Sequence, residues 1–251
     1  MPTVPGRYYF VSDVHLGASG DTEGCRERLF VDFLKSLPEN TAGLFLLGDI
    51  FDFWVEYRDV VPRGFTRVFG ELARLSDSGC KIWFFKGNHD YWVTDYFRKE
   101  LGITVVDEPY EIVDLFGKRF CIGHGDSLNC SDWKARLVFR MFRNKFLIAV
   151  LKALPTHCIF KFARWWSSKS RKSADGYKFD VTESDIKAFA ENFGRSEDID
   201  YFIFGHFHTP SCTVLECGAS LYLLGDWATL ANSLYFSGNG ITGLGFPNSQ
   251  I

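Results

Sequence analysis

The chain has no run of eighteen apolar residues, so no helix is expected to span a bilayer. Met1–Gly6 shows neither the basic nor the apolar stretch of a secretory leader, so secretion is not expected. The seven cysteines are scattered, odd in number and never spaced Cys-x-x-Cys. That argues against zinc ribbons and disulfide frameworks and reads as reduced, mostly buried thiols of a cytoplasmic protein. Net charge is small, −3, but acid is missing from one place: residues 133–174 hold eleven Lys or Arg and no Asp or Glu. What is present is apolar. Hydrophobic residues make up 46% of 251, ample for one large domain or a domain carrying an insertion. The 26 phenylalanines suggest more apolar surface than a core alone needs.

Five polar clusters punctuate the chain: Asp13-Val14-His15, Gly48-Asp49, Gly87-Asn88-His89-Asp90, Gly123-His124 and Gly205-His206-Phe207-His208. They contain five of the six histidines. Each follows a short run rich in aromatic and branched residues, at Tyr8–Val11, Leu44–Leu47, Ile82–Phe85, Phe120–Ile122 and Tyr201–Phe204. Such runs read as buried strands. The clusters then lie just past the carboxyl ends of strands, where open α/β sheets bind ligands. The glycines at 48, 87, 123 and 205 allow sharp turns and close approach. Between them, Arg26–Leu37 and Phe65–Ser78 show helical spacing, with Gly79 as a stop. Each cluster alone reads as a turn. The ordered set reads as a metal centre of nitrogen and oxygen donors. Asp13, His15, Asp49, Asn88, His124, His206 and His208 are too many donors for one catalytic ion and suit two ions sharing a carboxylate.

His89 cannot easily share an ion with its neighbour Asn88, so its expected role is donation of a proton or hydrogen bond rather than ligation. Asp90 either orients that imidazole as a catalytic partner or closes a turn or helix start before Tyr91-Trp92-Val93. His157, outside the clusters, reads as an ordinary loop or helix-start residue.

The acid-free stretch carries Leu137, Val138, Met141, Phe142, Phe146, Leu147, Val150, Leu151 and Leu154 at largely helical spacing, then Ile159-Phe160-Lys161-Phe162-Ala163-Arg164-Trp165-Trp166. It reads either as a helical pair with a solvated basic face, or as a lid that meets something both greasy and anionic. Lipid fits better than nucleic acid, because the apolar positions are mainly Leu, Val and Phe at core-like spacing rather than stacking platforms. The glycine-rich end, Ser237–Ile251, reads as weakly ordered.

The order of the five clusters, over residues 8–208, resembles the calcineurin-like metallophosphoesterase superfamily. The resemblance implies an α/β fold: a central β-sandwich flanked by helices, one domain over residues 1–251 with a helical lid insertion at about 131–178. It implies that Asp13, His15, Asp49 and His208 hold one metal and that Asp49, Asn88, His124 and His206 hold the other, with His89 near the scissile phosphate. The cofactors implied are two divalent ions, Mn²⁺ in the first place, with Fe²⁺, Zn²⁺ and Mg²⁺ also compatible with the donors. Gly123–Leu128, Leu151–Pro155, Ser167–Ser173 and Gly225-Asp226-Trp227 are similar to the UDP-2,3-diacylglucosamine diphosphatases of lipid A biosynthesis. That likeness implies an acylated sugar-nucleotide substrate and contacts from Asp132, Lys169, Ser170 and Arg171. It also implies a peripheral membrane contact through the lid, on the cytoplasmic face of the inner membrane. Those enzymes carry Gly-Asn-Arg-Asp where this chain has Gly87-Asn88-His89-Asp90. A nuclease or phosphodiesterase for other nucleotides remains the alternative. A non-catalytic scaffold is disfavoured, since all seven ligand positions are kept.

Overall fold

The computed structural model describes residues 6–128, 144–161 and 184–245, apart from 20, 22, 23, 58, 229 and 230. Two sheets pack face to face. The first runs β11-β10-β1-β2-β3-β4, with β1 at Tyr8–Val11, β2 at Gly43–Leu47, β3 at Lys81–Phe85, β4 at Thr104–Val106, β10 at Asn232–Phe236 and β11 at Ile241–Gly245. β1 to β4 are parallel, and β10 and β11 close the other edge antiparallel. The second runs β5-β6-β7-β9-β8, with β5 at Tyr110–Leu115, β6 at Lys118–Gly123, β7 at Tyr201–Phe204, β8 at Ser211–Val214 and β9 at Ser220–Leu223. β6, β7 and β9 are parallel.

The strands that precede the polar clusters are apolar on both faces because both faces are covered. Side chains alternate across a strand. Tyr9, Val11, Leu44, Leu46, Ile82 and Phe84 face helices α1 (Cys25–Ser36), α2 (Thr66–Asp77) and α3 (Tyr96–Leu101). Phe10, Phe45, Leu47 and Phe85 face Phe120, Ile122 and Ile203 of the second sheet. Helix α5 (Asp185–Ser196) covers the far side of the second sheet, with Ile186 and Ala190 against Phe202, Phe204, Leu221 and Leu223. Between α3 and α5 in the chain, α4 spans Lys145–Lys152, and residues 156–161 are also helical. The sandwich with helices on both faces is therefore as the resemblance implies. The two helices anticipated from spacing are found within a residue of their expected bounds.

Three expectations are corrected. Most of the described phenylalanines do not spill outward: three apolar layers and a smaller cluster absorb them, and among the described residues only Phe116 and Phe146 are exposed. The thiols are not mostly buried, since Cys25, Cys158 and Cys212 are exposed while Cys80 and Cys121 are buried. The glycine-rich end is ordered as far as β11, which pairs along β10 from Phe236↔Ile241 to Asn232↔Gly245 and finishes the sheet edge. α5 was not anticipated individually, although Ser184 accepts from the Lys187 N–H as an N-cap and the apolar residues 186, 189, 190 and 193 keep helical spacing.

Phe45 lies fully buried between the sheets, stacked on Trp83 at 4.4 Å and on Phe10 at 5.1 Å. Phe45→Ala is expected to lower the unfolding free energy by about 3–5 kcal/mol. Phe146→Ala, at a side chain 79% exposed, should change it by less than about 0.5 kcal/mol. Urea titration of both variants checks the contrast; a shift under about 1 kcal/mol for Phe45→Ala would contradict the layer assignment.

Candidate metal centre

The carboxyl ends of β1, β2 and β3 do not stop pairing where the strands end. The His15 N–H donates to the Asp49 carbonyl at 3.0 Å, and Leu16 bridges Phe51 in parallel register. The Trp54 N–H donates to the His89 carbonyl at 3.3 Å, and Val55 bridges Trp92. The turns that carry Asp13, His15, Asp49, Asn88 and His89 are thus stitched side by side. His124 follows β6 and His206 follows β7, so the second sheet delivers its imidazoles to the same edge. The two sides are joined where the Asp13 Oδ2 accepts from the His206 N–H at 2.9 Å.

All seven expected donors converge. Nε2 of His15 and Nε2 of His208 face each other at 3.2 Å, and Asp13 Oδ1 stands 3.2 Å from His208 Nε2. On the other side, His124 Nε2 lies 3.3 Å from Asn88 Oδ1 and 3.4 Å from Asp49 Oδ2, with the His206 ring centred 5.2 Å from that of His124. Asp49 Oδ2 is also 4.0 Å from His15 Nε2, so this one oxygen stands between the two groups. Ligating atoms of Asp13, His15 and His208 lie within 4.8 Å of one another, as do those of Asp49, His124 and His206. A third group, His15, Asp52 and His89, meets the same distance.

The imidazoles are aimed by fixed acceptors. His124 Nδ1 donates to the Leu47 carbonyl at 2.8 Å, and His208 Nδ1 lies 3.4 Å from Asp226. A proton held on Nδ1 leaves the Nε2 lone pair for a ligand. Five of the seven residues adopt positive φ: Asp13 at 53°, His15 at 49°, Asp49 at 52°, His206 at 71° and His208 at 52°. That conformation is uncommon outside glycine and costs on the order of 1–3 kcal/mol per residue, so the surrounding structure must impose it. Of the four cluster glycines only Gly48 takes positive φ, at 83°. Gly87 serves close approach instead: a Cβ there would meet the Asp49 N at 2.5 Å.

Burial opposes ionisation of Asp13 and Asp49, yet the surrounding imidazoles hold both carboxyls below the usual carboxylate range. Burial pushes His15 down to about 4 and also lowers His206. Burial likewise opposes a charge on His208, but Asp13 and Asp226 raise it to about 10. Among the described residues no lysine or arginine forms an ion pair with Asp13 or Asp49. Carboxylates held ionised without a lysine or arginine partner, and faced by ring nitrogens, are a donor set that fits divalent cations.

A family model described as calcineurin-like phosphoesterase matches residues 6–210. The chain belongs to that family. It is similar to a UDP-2,3-diacylglucosamine hydrolase of Porphyromonas gingivalis, at 36% identity over 88% of this chain and 90% of the relative. It is similar to one of Vibrio parahaemolyticus at 30% identity, over 92% of this chain and 94% of the relative. The phosphoesterase is therefore a hydrolase whose convergent donors suit divalent metal ions.

Two acidic residues of this phosphoesterase stand differently from what the sequence implied. Asp90 does not orient His89. It is fully buried, and its carboxylate accepts from the N–H groups of Asp49 at 3.2 Å, Ile50 at 2.8 Å, Phe51 at 3.2 Å and Gly87 at 2.9 Å. Burial and the Asp49 carboxylate push Asp90 up to about 7, against the pull of these donors. The turn reading of the segment holds, since the Val93 N–H bonds the Asp90 carbonyl, while residues 91–93 form no helix start. The group that does orient His89 is Asp52, whose carbonyl accepts from Nδ1 at 2.9 Å. The sequence reading missed Asp52; its only signal is a second acid three residues after Asp49. Asp132, Lys169, Ser170 and Arg171 lie outside the described residues.

Asp90→Ala removes the shared acceptor of four buried N–H groups, each costing about 1–3 kcal/mol when left unpaired. The variant is expected to lose at least about 2 kcal/mol in denaturant titration and to bind metal more weakly. A wild-type denaturation midpoint would show that the turns hold without this carboxylate.

Proposed function

We propose that this phosphoesterase hydrolyses the pyrophosphate of UDP-2,3-diacylglucosamine to UMP and 2,3-diacylglucosamine 1-phosphate. The observation that carries the reading is the near full-length match to hydrolases of that name. Water adds at one phosphorus, the bond from it to the bridging oxygen breaks, and the atoms of one water divide between the two phosphates.

The assigned holders of one ion are Asp13, His15, Asp49 and His208, and of the other Asp49, Asn88, His124 and His206. The position of Asp49 Oδ2 between the two groups supports it as the bridge. When bound, the ions supply Lewis acidity toward the phosphate oxygens and the attacking water. Mn²⁺ is the metal we assign first. Asn88 contributes a neutral oxygen and so limits negative charge beside an anionic substrate. His89, with its Nδ1–H committed to the Asp52 carbonyl, presents Nε2, which donates to the phosphate or leaving oxygen in the imidazolium form of the ring.

Recognition of the acylated sugar falls to a helical insertion over about 131–178, with Asp132, Lys169, Ser170 and Arg171 as substrate contacts. Two features support this. Residues 133–174 carry eleven basic and no acidic residues. Phe146, Val150 and Leu154, spaced by four on and just after α4, are exposed. The same row is assigned a peripheral contact with the inner face of the inner membrane. No helix among the described residues is long and apolar enough to cross a membrane.

His89→Ala is expected to lower kcat by about 10²–10⁴ while two ions per chain are retained. Metal analysis beside single-turnover rates decides it: loss of an ion would make His89 a ligand. The substrate is tested with a Mn²⁺-loaded panel of UDP-2,3-diacylglucosamine, deacylated UDP-glucosamine, bis(p-nitrophenyl) phosphate and DNA. Each methylene buried contributes about 0.8 kcal/mol, roughly fourfold, so the diacyl compound should exceed the deacylated one by orders of magnitude in kcat/KM. Equal cleavage of the two would replace the lipid reading with a general nucleotide pyrophosphatase. Preference for the aryl diester or DNA would replace it with a phosphodiesterase.

A further inference from the structure

Residues 144–161 share an apolar cluster with the body. α4 contributes Ile148, and the helical residues 156–161 contribute Ile159, 4% exposed, and Phe160. They rest on Val55 and Trp92, flanked by Phe53, Tyr57 and Tyr91. Phe53 joins the segment to the body through ring contacts on both sides. Its ring meets Trp92 at 5.8 Å and Phe160 at 5.7 Å, both edge to face.

Phe53 is also the residue between the two backbone groups that grip His89. Before it, the Asp52 carbonyl accepts from His89 Nδ1 at 2.9 Å. After it, the Trp54 N–H donates to the His89 carbonyl at 3.3 Å. One residue further, Val55 bridges Trp92. The ring on which the helical segment sits thus belongs to the stretch of backbone that sets the tautomer and direction of the His89 imidazole. A side chain packed edge-on against Phe53 restricts the Phe53 rotamer, and through it the path of residues 52–54.

We propose that Phe160 is a positioning residue for His89, acting through Phe53 on the Asp52–Trp54 backbone. The proposal rests on the reading of His89 as the group that acts at the phosphate, and it makes residues 144–161 part of the catalytic geometry and not of substrate binding alone. It therefore extends to substrates too small to reach that segment.

The test uses the full chain with Mn²⁺ and bis(p-nitrophenyl) phosphate. Phe160→Ala is expected to lower kcat by about tenfold to a hundredfold, within what a misplacement of about 1 Å costs, with KM and metal content unchanged. Phe160→Leu, which keeps most of the apolar volume, should restore most of the rate. In a His89→Ala background, Phe160→Ala should change kcat by less than about twofold, because groups that act as a unit are not additive. Without metal, ¹⁵N imidazole spectra should show His89 held as the Nδ1–H tautomer in the parent and exchanging tautomers in Phe160→Ala. The same fold-loss in both backgrounds, or no loss in the parent, overturns the proposal. Full activity of His89→Ala alone overturns the role of His89 and, with it, this inference. If Phe160→Ala does not accumulate as folded protein, Phe160→Val gives the same comparison.

Discussion

The Asp90 carboxylate gathers N–H groups from Asp49, Ile50, Phe51 and Gly87, and the metal centre is assembled around that clasp. Two strands, β2 and β3, would otherwise end in independent turns. A carboxylate inserted between them fixes both turns at once, since a buried N–H without an acceptor is costly. With the turns fixed, the Asp49 Oδ1 can accept from the His89 N–H at 2.8 Å, while Oδ2 is left facing His124 and His15. The carboxylate assigned as the bridge is thereby oriented by one that ligates nothing. Asp13 makes the corresponding link between the sheets through the His206 N–H.

Much of this was legible in the sequence, for a local reason. A run such as Leu44–Leu47 closed by Gly48-Asp49 announces both a buried strand and a polar residue at its end within six residues. Five repetitions gave the strand ends and the donors, and the sandwich followed from the family that their order resembles. The parts that were not legible depend on distant backbone. Asp90 meets N–H groups about forty residues away, which any residue type can supply, so its pattern looks like an ordinary turn. Asp52 acts on His89 through its carbonyl, a group every residue has. The order of β11 is likewise set by its partner β10 and not by its own glycine-rich composition.

Positive φ is concentrated where the donors are. Among the described residues other than glycine, only Phe65 and Phe116 take it outside the centre. At on the order of 1–3 kcal/mol for each strained residue, five together rival the whole net stability of a domain, about 5–15 kcal/mol. The three apolar layers, rich in stacked phenylalanine, are what can hold such turns in place. Dense packing transmits rather than absorbs displacement, so the turns have little freedom to relax toward ordinary backbone angles.

That rigidity separates two demands on the chain. The sandwich edge sets the donor geometry. Variation in what is hydrolysed then has to come from segments outside the two sheets, and the segment between β6 and β7 is the longest of these. Its described part does not stand apart from the chemistry. Ile159 and Phe160 rest on the turn beyond β2 whose backbone directs the His89 imidazole. The segment proposed to read an apolar, anionic substrate is therefore seated, in its described part, on the turn that directs a group assigned to the phosphate, and the contact includes the edge-to-face pair of Phe53 and Phe160. A contact between aromatic rings is not screened by salt, so on the proposed reading ionic strength modulates the basic residues without disturbing the imidazole.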